Sequence, residues 1–295
     1  MRTKLSSLAP GQQNSPPAAT LASAVLVVGF VLGAAQFAAA DSPLSLLAKR
    51  DPLGATSAKS ARLDALQSIP VEQLDDEARQ KVKSVLANVS VFRRLPIRLT
   101  DCDPDLYLFL VEHPDVMVNI WQALKITKLQ LSQLEDEIYQ VSEPNGTVAL
   151  TEFLHKSPEL HLIYGEGTYE GPLFAQPVNG RCLMVLKTGY VRETDGRYYI
   201  TTRLDTFLNV QHAGADLLSR LCHPLVGRTA DLNFVQSLSF LGSLSRTAET
   251  NSRGVQRLAS KLENVRPQLR DRLSELAAEI AEQPTISIDT STAGH

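Results

Sequence analysis

The side chains able to do acid–base, nucleophilic or metal chemistry are few and scattered. The histidines are His113, His155, His161, His212, His223 and His295. His155 and His161 flank the turn Lys156-Ser157-Pro158-Glu159, so a diagonal approach across a hairpin makes a metal pair conceivable; exposed hairpin polar groups are the plainer reading. His212 and His223 would share a face of one continuous helix with Cys222 beside the second, but Pro224 interrupts that helix and favours capping or surface roles. Among the carboxylates, Glu135-Asp136-Glu137 lies in strand-like sequence, where Glu135 and Glu137 share a face and Asp136 points away. Glycoside hydrolysis needs two carboxyl groups across a cleft, and no second carboxylate is placed opposite. Asp75-Asp76-Glu77 reads as the first turn of a helix, where the helix dipole favours anions. Gly165-Glu166-Gly167 has no Lys or Ser behind it and no following helix, so it reads as a bulge or sharp bend rather than a phosphate loop. No G-x-S-x-G or H-E-x-x-H signature occurs. The expectation is a non-catalytic chain with no catalytic residues, metal site or cofactor.

The elements around these residues begin with an export signal. Residues 1–20 carry Arg2 and Lys4 and no acid, residues 21–37 are apolar apart from Ser23 and Gln36, and Ala38-Ala39-Ala40 precedes Asp41. This is a cationic region, an apolar region and a small-residue cleavage site, and it predicts export with cleavage near Ala40. An uncleaved anchor over residues 21–40 is the alternative, since about twenty apolar residues also span a bilayer. Losing two cations takes the net charge from −3 to about −5, a mild acidity that argues against a nucleic-acid partner. Export permits disulfides, and the cysteines are Cys102, Cys182 and Cys222. One pair plus a free thiol would join Cys102 to Cys182, while three buried reduced thiols is the alternative.

Residues 41–70 read as a linker, Ser/Ala/Lys-rich at first. Over 71–89, Val71, Leu74, Ala78, Val82, Val85, Leu86 and Val89 recur at helical spacing behind Pro70, predicting an amphipathic helix. Residues 90–100 alternate as a strand that Pro96 confines to an edge or bulge. Asp103-Pro104 opens a helix, and His113-Pro114 divides it from a second. Strands then follow without intervening helices, at about 126–141, 147–155, 160–169, 181–191 and 197–210, which implies an antiparallel meander. Asn145-Gly146 and Asp195-Gly196 mark tight hairpin turns. Helix returns from about Ala213, breaks near Pro224 and Gly227, and resumes through Phe234 and Leu244. In a final amphipathic extension over 251–283, Leu258, Leu262, Val265, Leu269, Leu273, Leu276 and Ile280 form an eleven-residue seam that Pro267 kinks or restarts. Residues 284–295 are a Thr/Ser-rich tail.

One strand, two short helices, a run of antiparallel strands and a closing helix is the element order of the helix-grip fold. The segment DPDLYLFLVEHPDVMVNIW, residues 103–121, resembles the place where START-like and polyketide-cyclase-like (SRPBCC) proteins put two short helices before an aromatic residue. The stretch over 205–249 is similar to their closing helical region. The resemblance covers about residues 90–250 and implies an α+β fold over 71–250: a curved antiparallel sheet around a C-terminal helix, with extra flanking helices. It also implies an apolar small molecule or lipid held in a cavity between sheet and helix. With only 6% aromatic residues the interior would be hard to fill. The expected lining is Phe109, Trp121, Phe153, Tyr164, Tyr169, Tyr190, Phe207, Phe234 and Leu238, with Arg203 as a cation for a carboxylate-bearing ligand, although Thr201 and Asp205 in alternation with it suggest a solvent face. The rival reading is an interaction or scaffold protein with a filled core, which docks a partner through its flanking helices or forms a homo-oligomer through the eleven-residue seam. Membrane contact would arise only through an unprocessed N-terminal segment.

Overall fold

The computed structural model describes residues 53–144, 146–171, 176–194, 196–211, 214 and 224–283, with the side chains of 224–226 left aside. The export signal, residues 41–52 of the linker, Asn145, Asp195, His212, Cys222, His223 and the tail lie outside the described residues.

Eight antiparallel strands form one sheet: β1 (Val91–Arg94), β2 (Arg98–Asp101), β3 (Gln130–Glu135), β4 (Ile138–Glu143), β5 (Thr147–Ser157), β6 (Leu160–Tyr169), β7 (Val178–Arg192) and β8 (Tyr198–Val210). Their order is β1-β8-β7-β6-β5-β4-β3, and β2 also pairs with β8. The single strand expected over 90–100 is thus two. Leu95-Pro96-Ile97 separates them, because proline cannot donate to a ladder. The first expected strand, 126–141, is likewise a hairpin. Glu137 turns it with φ 66°, so Glu135 and Glu137 flank a turn instead of sharing a strand face. Gly146 (φ 100°) and Gly196 (φ 83°) supply the positive φ that the two hairpin signals anticipate.

Helices cover both faces of this sheet. Along β7, Cys182, Met184 and Leu186 belong to the inner core, and Leu183 and Val185 to a separate outer core. The outer core is closed by α1 (Lys59–Gln67) and α2 (Asp76–Leu86), through Ala61, Ala65, Ala78, Val82 and Val85. Part of the expected linker is therefore a helix, held down by two buried alanines spaced one turn apart. Asp75 caps α2 by accepting from the Ala78 amide at 2.8 Å, which starts the helix five residues later than the apolar period suggested and leaves Val71–Gln73 as a 3₁₀ turn.

On the inner face lie α3 (Pro104–Glu112), α4 (Pro114–Ala123), α5 (Pro224–Ala259) and α6 (Pro267–Glu282). Asp103 caps α3, accepting from Asp105 and Leu106 at 3.0 Å. This is the helix-grip arrangement, an α+β fold in which a curved antiparallel sheet wraps a long C-terminal helix. Pro224 begins α5, which runs on through Gly227 without the expected break there, and the helix expected from Ala213 up to Pro224 lies outside the described residues apart from Gly214. The irregular residue within α5 is Asn251 (φ −149°, ψ 57°), whose side chain accepts from the Gly254 amide at 3.1 Å. Pro267 then restarts the chain as α6, which packs back on α5. The eleven-residue seam is therefore split between two helices, and Leu262, Val265, Leu273, Leu276 and Ile280 are all buried in the inner core. These seam residues thus face the inner core of the same chain.

Two glycines of β6 admit close neighbours. A Cβ on Gly167 would stand 2.1 Å from the Ala149 Cβ, and one on Gly165 would stand 2.8 Å from the Cys182 sulfur. The pairing runs in regular register through both glycines, and the bulges fall on β3 and β5, between Gln133 and Glu135 and between Phe153 and His155.

Ion pairs fasten the layers. Asp205 is fully buried on the outer face, 2.6 Å from the Arg94 Nε and 3.1 Å from the Arg203 Nε, and Asp64 of α1 meets the same two guanidinium groups at 2.6 and 3.0 Å. On the inner side Arg93 of β1 clamps Asp231 of α5 through two hydrogen bonds. Replacing Asp205 by Ala strands two largely buried guanidinium groups, and the expected loss is about 3 kcal/mol in urea denaturation. Leu273→Ala is expected to cost about 3 kcal/mol with no change of molecular mass in light scattering, because its contacts lie within one chain.

Candidate functional site

Among the described residues, side chains pack the space between the sheet and α5. Tyr107 of α3 projects into it, and its hydroxyl lies 3.1 Å from the Thr188 Oγ1 and 3.2 Å from the Thr202 Oγ1, so a fully buried phenol is satisfied within the core. A void of about 20 Å³ lies there, lined by Leu110, Met117, Ile163, Met184, Leu204 and Leu241 among others, all apolar. That is room for about one water molecule, and no polar group lines it to hold one.

The ten residues expected to line a cavity do not converge. Phe109, Trp121, Phe153, Phe234 and Leu238 are buried in the inner core, Trp121 against Phe240 at 5.9 Å between ring centroids. Tyr190 packs on the same core and donates to the Pro158 carbonyl at 2.8 Å. Tyr164 and Phe207 face the other way into the outer core, Phe207 against Phe92 at 5.0 Å. Tyr169 is buried near the far end of β6, in neither core. Arg203 is held on the outer face by Asp64 and Asp205, so it is neither a ligand cation nor a solvent-facing side chain. Strand alternation separates these residues: Ile163 and Leu204 face inward, so Tyr164, Arg203 and Phe207 cannot.

The bulge in β5 also separates the two hairpin histidines. His155 pairs with Leu162 of the outer core and His161 with Lys156, so their side chains leave opposite faces. Among the described residues no group of three or more His, Cys, Asp or Glu is arranged to hold a metal ion. Cys102 and Cys182 are buried free thiols and do not pair, which corrects the disulfide alternative. Burial pushes the Cys102 thiol up to about 12 and raises Cys182 as well, so both are poor nucleophiles.

Two places escaped sequence reading. The first is a polar corner where α3 meets α4. His161 is fully buried there, neither ring nitrogen has a hydrogen-bond partner, and its Nε2 is 3.6 Å from the Glu112 carboxylate. Burial holds the imidazole neutral down to about pH 4, and the nearby positive charge of Lys156 adds to this, opposed by Glu137. The second is a groove of about 280 Å³ on the outside, between β2 and α5, lined by Arg98, Leu99, Asp101, Ser239, Gly242 and Arg246 among others. The Cys102 amide donates to the Tyr198 carbonyl, so along β2 the backbone groups of Arg98 and Thr100 point to β8, and those of Leu99 and Asp101 point outward to the groove. Gly242 brings α5 against the outward Asp101 carbonyl, since a Cβ there would stand 3.0 Å from that oxygen. Leu99 itself is 63% exposed. Periodicity shows β2 as half a strand and cannot show which of its edges faces the groove.

No family model and no curated protein matches the sequence. Among solved structures the chain is similar to a conserved protein from Geobacillus kaustophilus, at 13% identity and TM-score 0.35, covering 51% of this chain and 93% of that one. It is also similar to Ara h 8.0201 at 10% identity and TM-score 0.29 over 49% of this chain and 99% of that one, and to apo Dicamba Monooxygenase at 12% and 0.29 over 73% and 62%. Likeness this slight adds nothing to the fold already read from strand order. Among the described residues no helix is long and apolar enough to cross a membrane.

Above about pH 6.5 His161 is neutral in the folded and unfolded chain alike. As pH falls from about 6.5 to about 4, the unfolded chain takes up a proton that the folded chain refuses, so stability drops by about 3 kcal/mol over that window. His161→Leu is expected to flatten this part of the urea-midpoint profile, and an unchanged slope would show that the imidazole is not its source.

Proposed function

We propose that this chain is an exported, non-catalytic interaction protein whose working surface is the groove between the outer edge of β2 and α5. Its occupant is an extended peptide that adds a strand to β2. The observation that carries this reading is the contrast between a filled interior and an edge strand whose exposed Leu99 borders a groove of about 280 Å³. A void of about 20 Å³ is too small for a lipid or polyketide-sized molecule, which favours a surface site over this interior one. The flanking helices bury Ala65, Val82, Val85, Leu273 and Leu276 within the chain, which favours the groove over them as the working surface. Strand addition works instead through backbone groups on an open edge, with side chains of the groove selecting the sequence. Export accords with the layout of residues 1–40 and with two cysteines kept as inert, buried thiols.

The test is a selection of displayed random heptapeptides against the folded protein, repeated on Leu99→Pro. Proline at that outward position removes the N–H that a docking strand would use and leaves the β8 ladder intact. The expected outcome is a set of peptides whose affinity falls at least tenfold on Leu99→Pro. Equal affinity for both proteins, or a lipid-sized organic molecule released from native material on denaturation, overturns the reading.

A further inference from the structure

At the edge of the sheet far from β2 stands β3, and among the described residues no strand pairs with its outer side. The Phe153 amide donates to the Glu137 carbonyl, so by alternation Tyr139 and Val141 bond to β5, while Gln140 and Ser142 bond to β3. Their partners on β3 are Ser132 and Gln130, whose backbone groups are thereby used. Leu129, Leu131 and Gln133 point their backbone groups the other way. Leu129 is already satisfied, since its amide donates to the Thr127 hydroxyl at 3.0 Å and its carbonyl accepts from the Gln122 side chain of α4 at 2.5 Å. What remains is a short template made of Leu131 and Gln133, bounded by Leu129 on one side and by the bulge before Glu135 on the other.

We propose that β3 pairs antiparallel with β3 of a second copy of this chain, across a two-fold axis at Ser132. Leu131 of each copy then exchanges both of its backbone bonds with Gln133 of the other. This surface is separate from the peptide groove, which lies at the opposite edge of the sheet. Three observations favour a second copy over a foreign strand. The two open residues stand symmetrically about Ser132, so the edge is complementary to itself. The charges obey the same symmetry: in this register Lys128 of one copy falls opposite Asp136 of the other, with Glu135 beside it. All three of these side chains are exposed, whereas the neighbouring Glu137 is taken up by Lys156 at 2.7 Å. Between Gln130 and Leu134 the strand carries neither charge nor proline, the devices that keep a natural edge from pairing, and Leu134 is 54% exposed.

The experiment is sedimentation equilibrium of the full chain over a range of concentrations, beside the single variants Gln133→Pro, Lys128→Glu and Asp136→Lys. Gln133→Pro removes an outward N–H and leaves the β4 ladder intact. Each charge variant sets like charges against each other at both ends of the pairing. The expected result is a dimer of the parent chain that dissociates on dilution, with a dissociation constant raised about tenfold in each variant. An equimolar mixture of the two charge variants should dimerise as the parent does, because a mixed pair restores opposite charges at both ends. Misfolding of either variant could not produce that rescue. A parent chain that stays monomeric at every concentration, or that associates equally well in all variants, overturns the proposal. Weakening by the charge variants that mixing fails to repair overturns it too, since each side chain would then act within its own chain. Peptide binding at the β2 groove is read separately by its loss on Leu99→Pro, so neither result decides the other.

Discussion

Two-sided burial of the central strands is the constraint from which the rest of this structure follows. In β7 and β8 consecutive residues point to opposite faces, and on each face they meet a helical layer. Cys182, Met184, Leu186 and Leu204 require α3 to α6 above them, while Leu183, Val185 and Phe207 require α1 and α2 below. The buried carboxylate of Asp205 falls on the second face because of the same alternation. It is tolerable there only because Arg94 and Arg203 on the sheet and the arginine-bound Asp64 on α1 complete a network around it. A helix-grip core closed on one side would leave that outer set exposed.

This explains which parts of the fold were legible in the sequence. Strand succession without helices, the Asp103 cap and the glycine turns are local signals, and β5 to β8 fall within about three residues of where the residues place them. The outer layer was missed because a sheet face with polar positions such as Arg203 and Asp205 looks solvated until its partners on α1 and the neighbouring strand are known. The same blindness put Tyr164, Phe207 and Arg203 in one imagined cavity with Phe109 and Phe153. The run Leu183-Met184-Val185-Leu186 was the available clue, since four consecutive apolar residues in a strand mark burial on both sides.

The eleven-residue seam failed for a different reason. Its spacing is real, but periodicity assumes one continuous helix, and the chain reverses between Ala259 and Pro267. What looked like an external stripe is two stripes facing one core. The interior is crowded accordingly: Leu262, Leu273 and Ile280 add to a space that Tyr107, Trp121 and Phe234 already occupy. A low aromatic content did not leave the grip empty, because the additional helices supplied leucines in place of rings.

The seating of β6 between its neighbours depends on what Gly165 and Gly167 lack. At these two positions missing methyl groups let the Ala149 side chain and the Cys182 sulfur come to distances that any other residue would forbid. A chain of this architecture with alanine or valine there would have to push β5 or β7 aside, so the two smallest residues of β6 fix how closely the central strands lie against one another.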